Sequence, residues 1–352
     1  MSEATEKRTS AIFVLAAVIV VIFGMQWAKE LLIPFLIAAF LALITVRPML
    51  WMQRHRVPAV LAALIIVLAI MLILTVAGLI VGRALADFTA ALPGYQRRLD
   101  VIVQGVLAFL VEHLNTDESV ETLGDLVNPG WAMGLAARIL NGVRDVLTNM
   151  FLIFFTVIFI LLEASSLATK VEAAFGGNGA NLGRARVFLA DLGRYLGIKT
   201  LVSIVTGVLA YLLTWTIGLD FPQLWGMLAF LLNYIPTIGS IIAAVPAILL
   251  ALVQLGVGEA TATMIGFIVI NISFGNFIEP RLMGYGVGIS PLVVFVGLIS
   301  WGWVFGPVGM LLSVPLTMTL KMGLESDERT RWIAILIGSE RDAQHTLTRR
   351  GA

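Results

Sequence analysis

The chain has 352 residues, of which 59% are hydrophobic and only 13% charged, and its net charge is +1. Soluble domains carry about a quarter charged residues, so a water-soluble globular protein is excluded, and near-neutrality leaves no electrostatic footprint for nucleic acid. The absence of cysteine excludes disulfides and thiolate metal sites.

The apolar runs, in chain order, fall at about 11–28, 31–46, 59–82, 147–162, 200–217, 223–253, 260–278 and 291–320. A helix needs about 20 residues to cross about 30 Å of hydrocarbon. The first run is longer than a signal-peptide core, lacks a small-residue cleavage site, and is followed at once by a second run, so it is read as a retained helix. The runs at 31–46 and 147–162 are short but can be extended by snorkelling flanks. Those at 223–253 and 291–320 are too long for one helix, and Pro and Gly interrupt both.

Loop charge sets an orientation. The short segment 47–58 holds Arg47, Arg54 and Arg56 and no acid, so it is expected in the cytoplasm. In 163–199 Lys170, Arg184, Arg186, Arg194 and Lys199 outnumber Glu163, Glu172 and Asp191, whereas acids outnumber bases in 83–145. Both termini are therefore expected inside and 83–145 outside. That segment places Val101, Val103, Leu107, Leu110 and Leu114 at helical spacing, as expected of amphipathic helices on a membrane or a neighbouring subunit.

Two late segments echo one another. Residues 221–252 and 290–320 each open on a proline (Pro222, Pro291), carry a central Pro and Gly (Pro236 with Gly239, Pro307 with Gly309), and then reach a Val-Pro pair (Val245–Pro246, Val314–Pro315). Each arm is about 13–16 residues, or about 20–24 Å, short of a crossing. A pair of re-entrant hairpins is expected, because unwound backbone in the bilayer survives only against protein or around a polar cavity. The helices at 200–217 and 260–278 end on opposite sides, so the two helix-plus-hairpin units form an inverted repeat. Loop charge is equally consistent with two complete crossings per hairpin.

Between residues 200 and 320 the charged side chains are Asp220, Glu259, Glu279 and Arg281. The first two fall in expected loops. Pro280 is expected to break the helix at Glu279, and Ser273, Asn276 and Glu279 share one arc of a regular helix. Two readings stand. In one, Glu279, Asn276 and Asn271 line a solute or ion path with Arg281 as charge partner. In the other, Glu279 and Arg281 are an ion pair at a helix end. The first hairpin tip offers Asn233, Thr237 and Ser240 beside Pro236 and Gly239, with helix amides near Ile238 aimed at the tip. The second tip, Trp301, Trp303, Gly306, Pro307 and Gly309, is aromatic and reads as a gate or as interfacial tryptophans. The glycine-rich stretch 176–183 lacks Gly-Lys-Ser/Thr and reads as a loop. Gly78 and Gly82 form a GxxxG that would permit close helix contact. No zinc-protease or serine-hydrolase motif occurs, so no catalytic or metal-ligating residue is expected.

The stretches LWGMLAFLLNYIPTIGSIIAAVPA, NFIEPRLMG, GISPLVVFVGLISWG and GPVGMLLSVPL resemble the autoinducer-2 exporter (AI-2E) family of multi-pass bacterial membrane proteins. The resemblance covers nearly the whole chain and is specific over its last third. It implies a non-enzymatic transporter in the bacterial inner membrane, homo-oligomeric, with no cofactor beyond a coupling Na+ or H+, whose partners are a small polar solute or cation and the lipid bilayer. The positions carried over are Asn233, Pro236, Gly239, Glu279, Pro280 and Gly284. Export of a small polar solute such as autoinducer-2 is the leading expectation, with a sodium/proton antiporter and a non-transporting scaffold as rivals. The expected fold is an all-α polytopic membrane protein with about six full transmembrane helices and two re-entrant hairpins. It divides into scaffold helices (1–82), an amphipathic extracytoplasmic region (83–145), a transmembrane helix with cytoplasmic connector (146–199), an inverted-repeat transport core (200–320) and a cytoplasmic tail (321–352).

Overall fold

The computed structural model describes residues 16–114, 149–175, 179–236, 238–283, 288–340 and 344. The chain is an all-α polytopic membrane protein. Its helices are α1 (Ala16–Trp27), α2 (Lys29–Arg54), α3 (Ala59–Leu114), α4 (Met150–Phe175), α5 (Gly179–Ile217), α6 (Pro222–Leu232), α7 (Gly239–Gln254) and α8 (Val257–Asn271), then a π-helical segment (Ile272–Ile278) and α9 (Glu279–Met283), and finally α10 (Pro291–Leu311), α11 (Ser313–Ser326) and α12 (Arg331–Ile337). Among the described residues no strand forms beyond an isolated bridge between Ile289 and Gly338.

Among the described residues, five helical stretches are long and apolar enough to cross a membrane: Lys29–Arg54, Ala59–Tyr95, Val187–Ile217, Val257–Met283 and Pro291–Leu311. Shorter apolar helices are Ala16–Trp27, Met150–Glu163, Pro222–Leu232 and Gly239–Gln254. Leu72, Ile73, Phe151 and Leu292 are each at least 65% exposed, which lipid satisfies and water would not. Several helices outrun their apolar stretch. The apolar run ending at 82 belongs to a helix of 56 residues that continues unbroken through Pro93, about 84 Å long. The glycine-rich stretch turns helical at Gly179, and residues 176–178 lie outside the described residues. So do 115–145 of the expected extracytoplasmic region, Thr237 and Gly284.

The chain forms two compact units. The first gathers Met1–Ala69, Thr148–Leu196 and Val287–Ala352. Here α2 packs on α4 and on α10, α10 on α11, and α11 on α12. The buried residues of α2 are Pro34, Ala38, Ala42 and Met49, with the two alanines one turn apart at its centre, while those of α4 include Ile153, Phe154, Val157 and Leu161. Small residues on one helix let a neighbour approach closely, which is how helices associate where lipid removes the hydrophobic drive. The tail is not free in this unit, because Ser290 N–H donates to the Ile337 carbonyl and Lys321 Nζ donates to the Gly288 carbonyl at 2.7 Å.

The second unit gathers Ile70–Leu147 and Gly197–Gly286. Here α6 and α7 pack as a helical hairpin and α7 packs on α8. α6 has 11 residues and α7 has 16, about 16 and 24 Å. α5 crosses α6 with its backbone almost in contact: a Cβ added to Gly207 would stand 2.9 Å from the Gly226 carbonyl, and one added to Gly226 would stand 2.9 Å from the Gly207 carbonyl. Gly82, by contrast, would meet nothing within 4 Å, so this half of the GxxxG makes no close helix contact in the chain.

The echo between the two interrupted segments is structural as well as sequential. A Cβ on Gly239 would stand 1.8 Å from the Leu232 carbonyl oxygen and 3.1 Å from Ile235 Cβ. One on Gly309 would stand 1.9 Å from the Trp301 carbonyl oxygen and 2.9 Å from Phe305 Cβ. Each chain reversal therefore closes over a glycine that no other residue can replace without backbone movement. The second differs in using Gly306 (φ 65°, ψ −146°) to break its first arm, leaving Pro291 to Phe305 as a continuous piece of about 22 Å.

Gly239→Ala and Gly309→Ala are expected to destabilise the chain by about 1–3 kcal/mol each. Gly82→Ala, in open space on a helix, is expected to be neutral or to stabilise by up to about 1 kcal/mol. Thermal melting of the purified chain in detergent reads all three.

Candidate functional site

The strongest polar cluster in the second unit grows from the stretch KTLVSIVTG, residues 199–207 of α5. Helical periodicity places Lys199, Ser203 and Thr206 along one side of α5, with Thr200 beside them. Lys199, Ser203 and Thr206 are all buried. Burial of a lysine in an apolar bundle is costly unless a counter-charge accompanies it.

That counter-charge is Glu279. Lys199 Nζ donates to Glu279 Oε1 at 2.7 Å and to Oε2 at 3.0 Å, with side-chain exposures of 6% and 14%. The sequence reading had paired Glu279 with Arg281 and counted Lys199 as a connector charge. Arg281 is exposed, and residues two apart on a helix point to different faces. Lys199 is missed by sequence reasoning, and so are Thr200, Ser203, Thr206 and Tyr234 around it. The available signal was its position one helical turn before Ser203 and two before Thr206.

The expected break at Pro280 is also corrected. The helix does not stop there: Glu279 has α-helical dihedrals (φ −58°, ψ −49°). Instead, residues 272–278 widen into a π-helix, and Glu279 N–H donates to the Phe274 carbonyl, five residues back. Widening the turn accommodates the proline, which lacks an N–H and crowds the preceding turn. It also changes the rotation per residue, so Ser273, Asn276 and Glu279 no longer share one face. Asn276 is exposed, whereas Asn271 and Glu279 are half-buried. The Asn271 side chain lies along the widened turn, its Oδ1 3.2 Å from where a Cβ on Gly275 would be.

The tip of the α6–α7 hairpin is tied to the same stretch of α5. Asn233, 8% exposed, donates through Nδ2 to Ser203 Oγ at 2.9 Å. Tyr234 donates its hydroxyl proton to Thr200 Oγ1 at 2.8 Å. Pro236 and Ser240 are half-buried beside buried Gly239, and no side chain caps the start of α7. Thr206 Oγ1 is buried with no hydrogen-bond partner, although threonines elsewhere in the chain, such as Thr214, bond back to their own helix. An orphaned hydroxyl beside a satisfied amide–hydroxyl pair leaves this cluster with hydrogen-bonding capacity to spare.

The second tip belongs to the first unit. Trp301 Nε1 donates to Thr317 Oγ1 at 3.1 Å, and its ring lies parallel to Phe305. Trp303 is 54% exposed and meets Phe23 edge to face. Gly306 supplies the kink, Gly309 the close approach, and Pro307 is exposed. Among the described residues, no group of three or more His, Cys, Asp or Glu is gathered for a metal ion.

Removing one member of the buried pair strands the other. Lys199→Met and Glu279→Met are each expected to cost about 3–5 kcal/mol, and the double variant much less than their sum. Melting temperatures of the four proteins in detergent check this.

Comparison with known proteins agrees with this architecture. The model of the AI-2E family transporters matches residues 13–326. The AI-2 transport protein TqsA of Escherichia coli is 37% identical over 93% of this chain and 94% of its own. A protein of Haemophilus influenzae, named for transport without a stated solute, is 39% identical over 93% and 96%. A second Escherichia coli protein, YhhT, is 32% identical over 93% of each. With a family match spanning nearly its full length and relatives above 30% identity over nearly all of both chains, this protein belongs to the AI-2E family of membrane transporters.

Proposed function

We propose that the chain exports a small polar solute, of the kind named for TqsA, across a bacterial inner membrane with both termini in the cytoplasm. The observation that carries this reading is the buried Lys199–Glu279 pair beside the Asn233 tip. Fixed charges and spare hydrogen-bonding groups deep in an apolar bundle are expensive, and in membrane proteins they mark solute and ion paths. Asn233, Ser203, Thr206 and Glu279 would present amide, hydroxyl and carboxylate groups to the solute, with Asn271 at the end of α8 and Ser240 at the start of α7 close by in sequence. The two short, glycine-closed hairpins would be re-entrant, and the inverted repeat would move in an elevator-like manner as part of a homo-oligomer. Alternating access of this kind is the usual work of such repeats.

A second reading is favoured by the same pair. A cation such as Na+ that binds the Glu279 carboxylate competes directly with the Lys199 ammonium. Release of Lys199 from its partner then gives a route for cation–proton exchange. Proton movement on adding sodium to everted vesicles, abolished by Glu279→Gln, supports this second reading over solute export.

Flux into vesicles reconstituted with the purified chain tests the first reading. Labelled autoinducer-2 and other small polar solutes are expected to move with native protein and to fall at least tenfold in the Glu279→Ala/Asn233→Ala double variant. Equal flux from the two proteins removes these residues from the path.

A further inference from the structure

A second polar site lies in the same unit, away from the buried ion pair. A cavity of about 350 Å3 is lined by Leu79, Ile80, Arg83, Ala84 and Asp87 of α3 and by Phe221 and Gln223 at the start of the hairpin. It sits where the apolar run of α3 ends, and its volume is in the range of small-molecule sites.

Three observations bear on its contents. Arg83 and Asp87 stand one helical turn apart on one side of α3, yet neither forms an ion pair with the other or with any other described residue. A cation and an anion so placed, and not satisfying each other, leave a donor fork and an acceptor pair for a third molecule. Next, the apolar wall of Leu79, Ile80, Ala84 and Phe221 flanks those charges. Last, the wall is held by a stiff knot. Phe221 is a bulky residue kept in the left-handed region (φ 59°, ψ 47°), a strained conformation that persists only where the surroundings impose it. Phe88 meets both Phe221 and Trp225 edge to face. Trp225 Nε1 donates to the Asp220 carbonyl at 2.8 Å, Asp220 N–H donates to Gln254 Oε1 at 3.0 Å, and the Tyr95 hydroxyl donates to Asp220 Oδ2. A preformed wall of this kind lowers the ordering cost of binding.

We infer that this cavity binds a small zwitterion of amino-acid size, its carboxylate on the Arg83 guanidinium, its ammonium on the Asp87 carboxylate, and its apolar side chain against Phe221 and Ile80. Arginine recognises a carboxylate by paired parallel hydrogen bonds, and the amide of Gln223 completes the polar rim. The carboxylate and the ammonium, both carried on the α-carbon, meet Arg83 and Asp87 and so set the orientation that turns the side chain to the apolar wall, which favours an aliphatic side chain over a hydroxylated one. This inference does not depend on what the chain transports, since occupancy is an equilibrium property of the site.

Equilibrium binding of labelled L-leucine to the full chain in detergent tests it, with N-acetyl-leucine (no ammonium), leucinamide (no carboxylate) and sorbitol (no charge) as competitors. Saturable leucine binding is expected, with each singly charged analogue at least tenfold weaker and sorbitol silent. Arg83→Gln and Asp87→Asn are each expected to weaken leucine at least tenfold at an unchanged melting temperature, because both side chains are exposed. Lys199→Met/Glu279→Met, which strands neither charge, is expected to leave leucine binding intact, so failure of the transport path and failure of this site read out separately. No saturable binding, equal affinity for the singly charged analogues, or full binding in both cavity variants overturns the inference.

Discussion

An ammonium and a carboxylate, 2.7 Å apart and almost wholly withdrawn from solvent, hold the second unit of this protein to one arrangement. In a low-dielectric interior neither charge tolerates the loss of the other, yet the pair as a whole adds little net stability over an apolar replacement. Its retention is better understood through specificity and function than through stability. It links α5 to the far end of the α8–α9 helix, and α5 in turn receives Asn233 and Tyr234 from the hairpin tip. Two separate parts of the chain, the end of the α8–α9 helix and the hairpin tip, converge on residues 199–203 of α5.

The geometry that brings Glu279 to Lys199 depends on a local irregularity. A regular α-helix through Pro280 would clash with the preceding turn and lose a ladder bond. The π-helical segment relieves both and rotates Glu279 away from Asn276. The hairpins solve a related problem. A chain that reverses direction among apolar helices must keep its carbonyls against protein, and here each turn closes so tightly that only hydrogen fits at Gly239 and Gly309. The same close approach recurs in the two units, each with a bulky residue four positions before the glycine.

Much of this was legible in the sequence. Apolar run length gave the class and most helices, because lipid imposes a coarse, local demand on hydropathy. The Pro/Gly interruptions marked both reversals, because tight turns need residues of special backbone freedom. Three things were not legible. Helix ends beyond the membrane were missed at α3 and α5, since hydropathy reports the solvent and not the hydrogen-bond ladder. The π-helix was missed because the proline rule is local, whereas here the whole helix adjusted. The partner of Glu279 was missed because Arg281 is near in sequence, while Lys199 is near only in the folded unit, 80 positions away. The cavity beside Phe221 was likewise invisible, because its two walls are more than a hundred residues apart in the chain.

In the proposed function the Glu279 carboxylate lies on the path of the solute, with Lys199 as its resting partner. The charge-swapped variant Lys199→Glu/Glu279→Lys keeps an attractive pair but exchanges the two positions. Flux and melting temperature of this one protein, measured beside native chain in the same vesicles and detergent, test the claim most directly. A melting temperature near the native value with flux at background is the predicted result; native flux from the swapped pair would show that the charges only hold helices together, and would contradict it.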